Sequence, residues 1–120
     1  MKLNDLSVLV VDDDPNAIRI MKMVLSGLGV SQISTAKDNK RARAIVAHDV
    51  VHLIICDWAG LQLLKEVRNT DPNILFLMVT GNVDADSVLA AKEAGVDAFI
   101  AKPFTANTVK EKLLVLARRL

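Results

Sequence analysis

The chain has 120 residues, 52% of them hydrophobic, which suits one compact unit with a buried core. Fifteen Lys and Arg against fourteen Asp and Glu leave a net charge of +1, which excludes the basic footprint of a nucleic-acid binder or a polybasic membrane anchor. Cys56 has no second cysteine to pair with, residues 1–5 lead into no apolar signal run, and no apolar segment is long enough to span a bilayer, so a cytoplasmic setting is expected.

Short apolar runs alternate with longer amphipathic stretches, the pattern of βα units feeding a parallel sheet. The first run, Ser7 to Val11, predicts a strand that ends on Asp12, Asp13 and Asp14. Asp14 and Pro15 supply a capping carboxylate and a proline at the first helical position, so a helix is expected over Pro15 to Leu28, closed by Gly29. Within it Ile18, Met21, Leu25 and Leu28 recur at helical spacing. A second strand is expected over Gln32 to Thr35 and a second helix over Asn39 to His48. The third strand, Leu53 to Cys56, is apolar throughout, as strands buried on both faces are, and stops on Asp57 before a helix over Leu61 to Asn69.

The fourth strand, Ile74 to Val79, stops on Thr80, and its helix, Ala85 to Ala94, is ended by Gly95. The fifth, Ala98 to Ala101, stops on Lys102. Its helix, Ala106 to Arg119, turns Val109, Leu113 and Leu116 inward and leaves Lys110, Lys112, Arg118 and Arg119 outside. With no linker, repeat or low-complexity stretch, residues 1–120 are expected to form a single domain.

Crossover handedness gathers the carboxyl ends of parallel strands along one edge, where ligands of such folds bind. Three aspartates at the first strand end would repel one another unless a cation neutralised them, and an all-oxygen, hydrated site suits Mg2+ or Mn2+. Asp57 is the candidate nucleophile, attacking an incoming phosphoryl group in line while a metal and the Lys102 ammonium neutralise charge on its oxygens. Thr80 can donate its hydroxyl to another phosphoryl oxygen and so sense the modification of Asp57. An acid closing a buried strand is costly without such a role.

The plainer alternatives differ in weight. Asp14 reads as a helix cap, Cys56 as a small buried hydrophobe, His48 and His52 as surface residues, and Trp58 as an aromatic beside the site. Taken alone, Thr80 followed by Gly81 is equally consistent with ordinary turn chemistry.

The motifs Val10-Val11-Asp12-Asp13, Ile55-Cys56-Asp57-Trp58, Met78-Val79-Thr80 and Lys102-Pro103-Phe104 together resemble the receiver domain of two-component response regulators, above all the single-domain chemotaxis regulators. The resemblance covers nearly the whole chain. It implies a flavodoxin-like α/β fold with a five-stranded parallel sheet in the order 2-1-3-4-5 and helices on both faces, an order the general description of receivers already contains. It also implies a cis bond between Lys102 and Pro103 and a switch aromatic at Phe99.

By the same likeness, Asp12, Asp13 and Asp57 hold the metal together with the backbone carbonyl of Ala59. A histidine kinase or phosphotransfer protein, or a small phosphodonor, supplies the phosphoryl group. A downstream protein binds the face made by the fourth helix, fifth strand and fifth helix, and the chain is a switch, not an enzyme.

One segment departs from the family. After the acceptor, receivers carry several more residues, including a Met-Pro pair, where this chain reads Asp57-Trp58-Ala59-Gly60-Leu61. An engineered deletion, a natural variant and an omitted loop are the competing explanations. A short loop can still join strand to helix. Its expected consequences are a helix start drawn toward the metal site or partly unwound, weaker metal binding, slower phosphorylation, and a dimer or exchange of elements between chains.

Three rivals remain to be weighed. A dinucleotide-binding enzyme is excluded because three aspartates stand where its glycine-rich turn would be. A magnesium-dependent phosphatase of the haloacid dehalogenase type matches Asp12 and Asp14 but lacks the later acidic pair and leaves Asp57 unexplained. A degenerate receiver that acts only as an interaction module is the more serious alternative.

Overall fold

The computed structural model describes residues 2–57, 60–81 and 84–120. After a short 3-10 turn, Leu3–Asp5, five βα units follow in order: β1 (Ser7–Val11), α1 (Pro15–Gly27), β2 (Gln32–Ala36), α2 (Asn39–His48), β3 (Leu53–Cys56), α3 (Leu61–Thr70), β4 (Leu75–Thr80), α4 (Ala85–Ala94), β5 (Ala98–Ala101) and α5 (Ala106–Ala117). All strand pairs are parallel, and the sheet runs β2-β1-β3-β4-β5, as expected.

Alternate residues of each inner strand feed opposite cores, because successive side chains of a strand point to opposite faces. Val8 and Val10 of β1 pack with Met21 and Leu25 of α1 and with Val109, Leu113 and Leu116 of α5. Leu9 and Val11 pack instead with Ala42, Leu63, Leu64, Val67 and Ala91 from α2, α3 and α4. Helices α1 and α5 therefore cover one face and α2, α3 and α4 the other. The stripe Val109, Leu113 and Leu116 is buried as the spacing predicts. Each such side chain contributes roughly 1.5–3 kcal/mol on leaving water.

Element ends follow local chemistry. The carboxylates of Asp14, Asp38 and Asp84 accept backbone N–H groups at the starts of α1, α2 and α4, and Thr105 does so for α5. These bonds favour the ionised form, so the Asp38 and Asp84 carboxyls titrate below their ordinary range. Gly29 and Gly95 take left-handed backbone angles, φ 101° and 97°, just past α1 and α4.

Boundaries shift by a residue or two from those expected. Helix α1 closes at Gly27 rather than Leu28, β4 takes in Thr80 and releases Ile74, and α5 ends at Ala117. One expectation needs correction. His48 is exposed, but His52 is half-buried, and its Nδ1 accepts the backbone N–H of Ser7 at 3.0 Å, tying the start of β3 to that of β1.

Candidate functional site

The register sets the site. Val11 of β1 lies opposite Cys56 of β3, so Asp12 and Asp57 leave adjacent strands side by side. The backbone N–H of Asp12 donates to Ala36 O at 3.1 Å, carrying the pairing with β2 one residue past the strand. One carboxylate oxygen from each of Asp12, Asp13 and Asp57 falls within 4.8 Å of the others. Three hard oxygen donors so close are the donor chemistry that Mg2+ or Mn2+ takes, and they repel one another without a cation. Asp14 faces the helix instead. Its Oδ1 accepts Asn16 N–H at 2.9 Å, while its own N–H donates to Asp12 Oδ1 at 3.0 Å. The cap reading of Asp14 therefore holds, and the same turn steadies the Asp12 carboxylate.

On the other side, Thr80 of β4 lies opposite Ala101 of β5, and Lys102 N–H donates to Thr80 O at 2.9 Å. This fixes the lysine backbone beside the threonine. The Thr80 side chain is buried, at 2% exposure, whereas Lys102 is exposed. The Lys102–Pro103 bond is cis. Phe99, half-buried in β5, packs against the core that includes Met78 and Ala91.

Cys56 is buried directly beneath Asp57. Loss of solvation, then the charges of Asp57 and Asp12, push its thiol well above the ordinary range, so it is a neutral hydrophobe and no nucleophile. Gly60 N–H donates to Asp57 O at 3.0 Å, and α3 starts at Leu61 as expected. Trp58 and Ala59, the expected site aromatic and carbonyl ligand, lie outside the described residues.

A cavity of about 360 Å3 adjoins the acceptor, lined by the ends of β1, β3 and β4, by Asn16, Ala17, Ile20 and Met21 of α1, and by Lys102, Pro103 and Phe104.

Sequence reasoning missed a second polar cluster, at the opposite end of the sheet. Asp97 Oδ2 accepts from Arg68 Nη2 at 2.7 Å and from Phe76 N–H at 2.8 Å, and its Oδ1 lies 2.8 Å from Arg119 Nη2. Arg68 also donates to Gly95 O at 3.0 Å and to Ile74 O. The only advance signal is an acid opening a β-strand that is otherwise apolar.

Residues 8–114 match the response regulator receiver domain family. The chain is 32% identical to the chemotaxis protein CheY-3 of Vibrio cholerae, covering 97% of this chain and 95% of that protein. It is also 32% identical to the chemotaxis protein CheY of Pseudomonas aeruginosa, covering 90% and 93%. Among solved structures, a CheY-like receiver domain from Methanospirillum hungatei superposes with a TM-score of 0.87 at 25% identity, over 95% of each chain. A putative response regulator from Chloroflexus aurantiacus gives 0.86 at 28% identity, over 94% and 98%. The parallel sheet, its acid-lined edge and these likenesses agree, and the chain belongs to the response regulator receiver domain family.

Proposed function

We propose that the chain, as one receiver unit, is a phosphorylation-activated switch whose acceptor is Asp57. The observation that carries this reading is the convergence of the Asp12, Asp13 and Asp57 carboxylates within 4.8 Å, next to the paired ends of β4 and β5 that bear Thr80 and Lys102. An Asp57 oxygen attacks phosphorus, forming an acyl phosphate as the bond to the donor breaks. The Lys102 ammonium approaches a phosphoryl oxygen and offsets its charge. The Thr80 hydroxyl donates to another, which draws that side chain toward Asp57 and lets Phe99 follow inward.

Asp12, Asp13 and Asp57 would hold Mg2+ or Mn2+, with Ala59 O as a further ligand, and the ion when bound supplies positive charge that eases approach of the anionic donor. The donor is a histidine kinase, a phosphotransfer protein or a small phosphodonor. The output is a protein that reads the face of α4, β5 and α5, where Val88, Phe99 and Val115 line a groove of about 490 Å3 edged by Lys92 and Lys112. The protein acts in the cytoplasm as a switch, not as an enzyme. Among the described residues no helix is long and apolar enough to cross a membrane.

The test is to incubate the protein with Mg2+ and a small phosphodonor, following Trp58 fluorescence and intact mass beside an Asp57→Asn variant. Labelling of the wild type alone supports the reading, and equal labelling removes Asp57 as acceptor. A magnesium response without labelling would favour the degenerate interaction module that the tight turn from Asp57 to Gly60 suggests.

A further inference from the structure

Strand β2 ends the sheet on the side away from the acceptor. Backbone groups of a strand point alternately to its two edges. Asp12 N–H donates to Ala36 O, and His52 N–H donates to Ser7 O, so Gln32, Ser34 and Ala36 bond toward β1 while Ile33 and Thr35 turn their N–H and C=O groups outward. With no strand beyond β2, those outward groups meet no ladder partner among the described residues. From Ser31 to Ala36 the chain carries no charge and no proline, two usual guards of an exposed edge. The opposite edge, β5, is closed by Lys102 and Pro103.

We propose that the outer edge of β2 pairs with the same edge of a second copy of this chain, antiparallel about a two-fold axis at Ser34. Ser34 then faces its own copy as a non-hydrogen-bonded pair. On either side of the axis, Ile33 and Thr35 exchange both N–H···O bonds with Thr35 and Ile33 of the second copy. The edge is self-complementary because its outward groups stand one residue to each side of the axis.

Charge selects a second copy as the occupant. Carried to its ends, the register sets the exposed Lys37 opposite Ser31 of the second copy. The Ser31 hydroxyl donates to Asn4 O at 3.1 Å, and the next residue, Asp5, is exposed, so a cation and an acid meet at each end of the pairing. Ile33 and Leu3, from the turn that holds Asp5, pack in the same core on the side covered by α1 and α5. Between those ends the uncharged stretch sets no like charges opposite one another, which would oppose pairing.

The experiment is sedimentation equilibrium over a range of protein concentrations. The mass is expected to rise from monomer toward dimer between roughly 10 µM and 1 mM, the range of a small interface. Thr35→Pro removes an outward N–H and leaves the bonds toward β1 in place, and is expected to weaken association by roughly tenfold or more. Asp5→Lys spares the ladder and is expected to weaken association severalfold, and adding Lys37→Asp to it is expected to restore the dimer. Leu89→Ser, at a 56% exposed position on α4, is expected to leave association unchanged.

Amide exchange reads the register directly. Exchange at Ile33 and Thr35 is expected to slow as the protein is concentrated, while Ser34, bonded toward β1, stays slow throughout. A mass that stays monomeric at the highest of these concentrations, association that Thr35→Pro leaves unchanged, a charge swap that restores nothing, or loss of the dimer in Leu89→Ser would each overturn the pairing.

Discussion

Gly60 lies so close against Cys56 that a Cβ added to the glycine would stand 2.3 Å from the cysteine Sγ and 3.0 Å from its Cβ. Gly60 has φ −78°, within reach of any residue, so the requirement for glycine is one of space and not of backbone freedom. Gly60→Ala is therefore expected to destabilise the protein by about 1–3 kcal/mol through overpacking. Combining it with Cys56→Ala should return part of that loss, because the nearer clash is removed and the 3.0 Å approach remains. Urea unfolding of both single variants and the double variant measures the coupling, and strict additivity would remove this explanation.

The same tight turn bears on the metal. Restoring a receiver-like loop between Asp57 and Leu61 is expected to raise affinity for Mg2+ and speed labelling of Asp57, since the turn now closes by a hydrogen bond from Gly60 onto Asp57 itself. Titration of Trp58 fluorescence with Mg2+ checks the first expectation and mass-resolved labelling the second. Unchanged values for both would mean that the short loop is no handicap.

Lys102 is exposed and its backbone is already held by Thr80 O, so its side chain can be removed without cost to the fold. Lys102→Ala is expected to slow labelling of Asp57 by roughly 100-fold or more, as loss of a charge-stabilising donor does. Its melting temperature should stay within a few degrees of the wild type. Thr80→Ala should still accept the phosphoryl group but fail to pass the change to Phe99, a difference that the fluorine resonance of a labelled Phe99 would report.

The cluster around Asp97 has unequal members. The Asp97 side chain is 9% exposed and that of Arg68 18%, whereas that of Arg119 is 52% exposed. Asp97→Ala removes the carboxylate from both Arg68 Nη2 and the Phe76 N–H, although Arg68 keeps its bonds to Gly95 O and Ile74 O, at an expected cost of about 2–4 kcal/mol. Arg119→Ala should cost under about 1 kcal/mol, the usual weight of an exposed partner. Thermal or urea unfolding ranks the two, and a larger loss for Arg119→Ala would invert this account.

Acid should weaken the helix starts whose caps are carboxylates. The Asp84 carboxyl accepts Ser87 N–H and titrates below its unfolded value, so its contribution is present above the unfolded value, near about pH 4, and is lost as pH falls through the lower folded one. The stability gap between wild type and Asp84→Ala is expected to close as pH is lowered through that range. A gap that widened on acidification would contradict the cap.

Much of this was legible in advance because strong, local signals agreed. Apolar runs such as Leu53 to Cys56 read as buried strands, and Asp14 before Pro15 announced both the start of α1 and the role of that acid. The edge carrying Asp12, Asp57, Thr80 and Lys102 followed from topology once the strands were known to be parallel. What stayed hidden depends on distance across the fold. His52 gives no local sign that Ser7 will donate to it, since that bond spans 45 residues, and nothing near Asp97 points to Arg68 or Arg119. The contact of Gly60 with Cys56 was equally unreadable, because no local sequence signal announces so close an approach.

The burial of Cys56 gives the protein a clock of its own. It is the chain's one thiol, 2% exposed in the central part of the sheet, so a thiol reagent can reach it only when β3 and its neighbours part. The rate of its modification then counts openings of the sheet. A comparison with and without phosphodonor would tell whether charging Asp57, its immediate neighbour in sequence, tightens or loosens the strand that carries it.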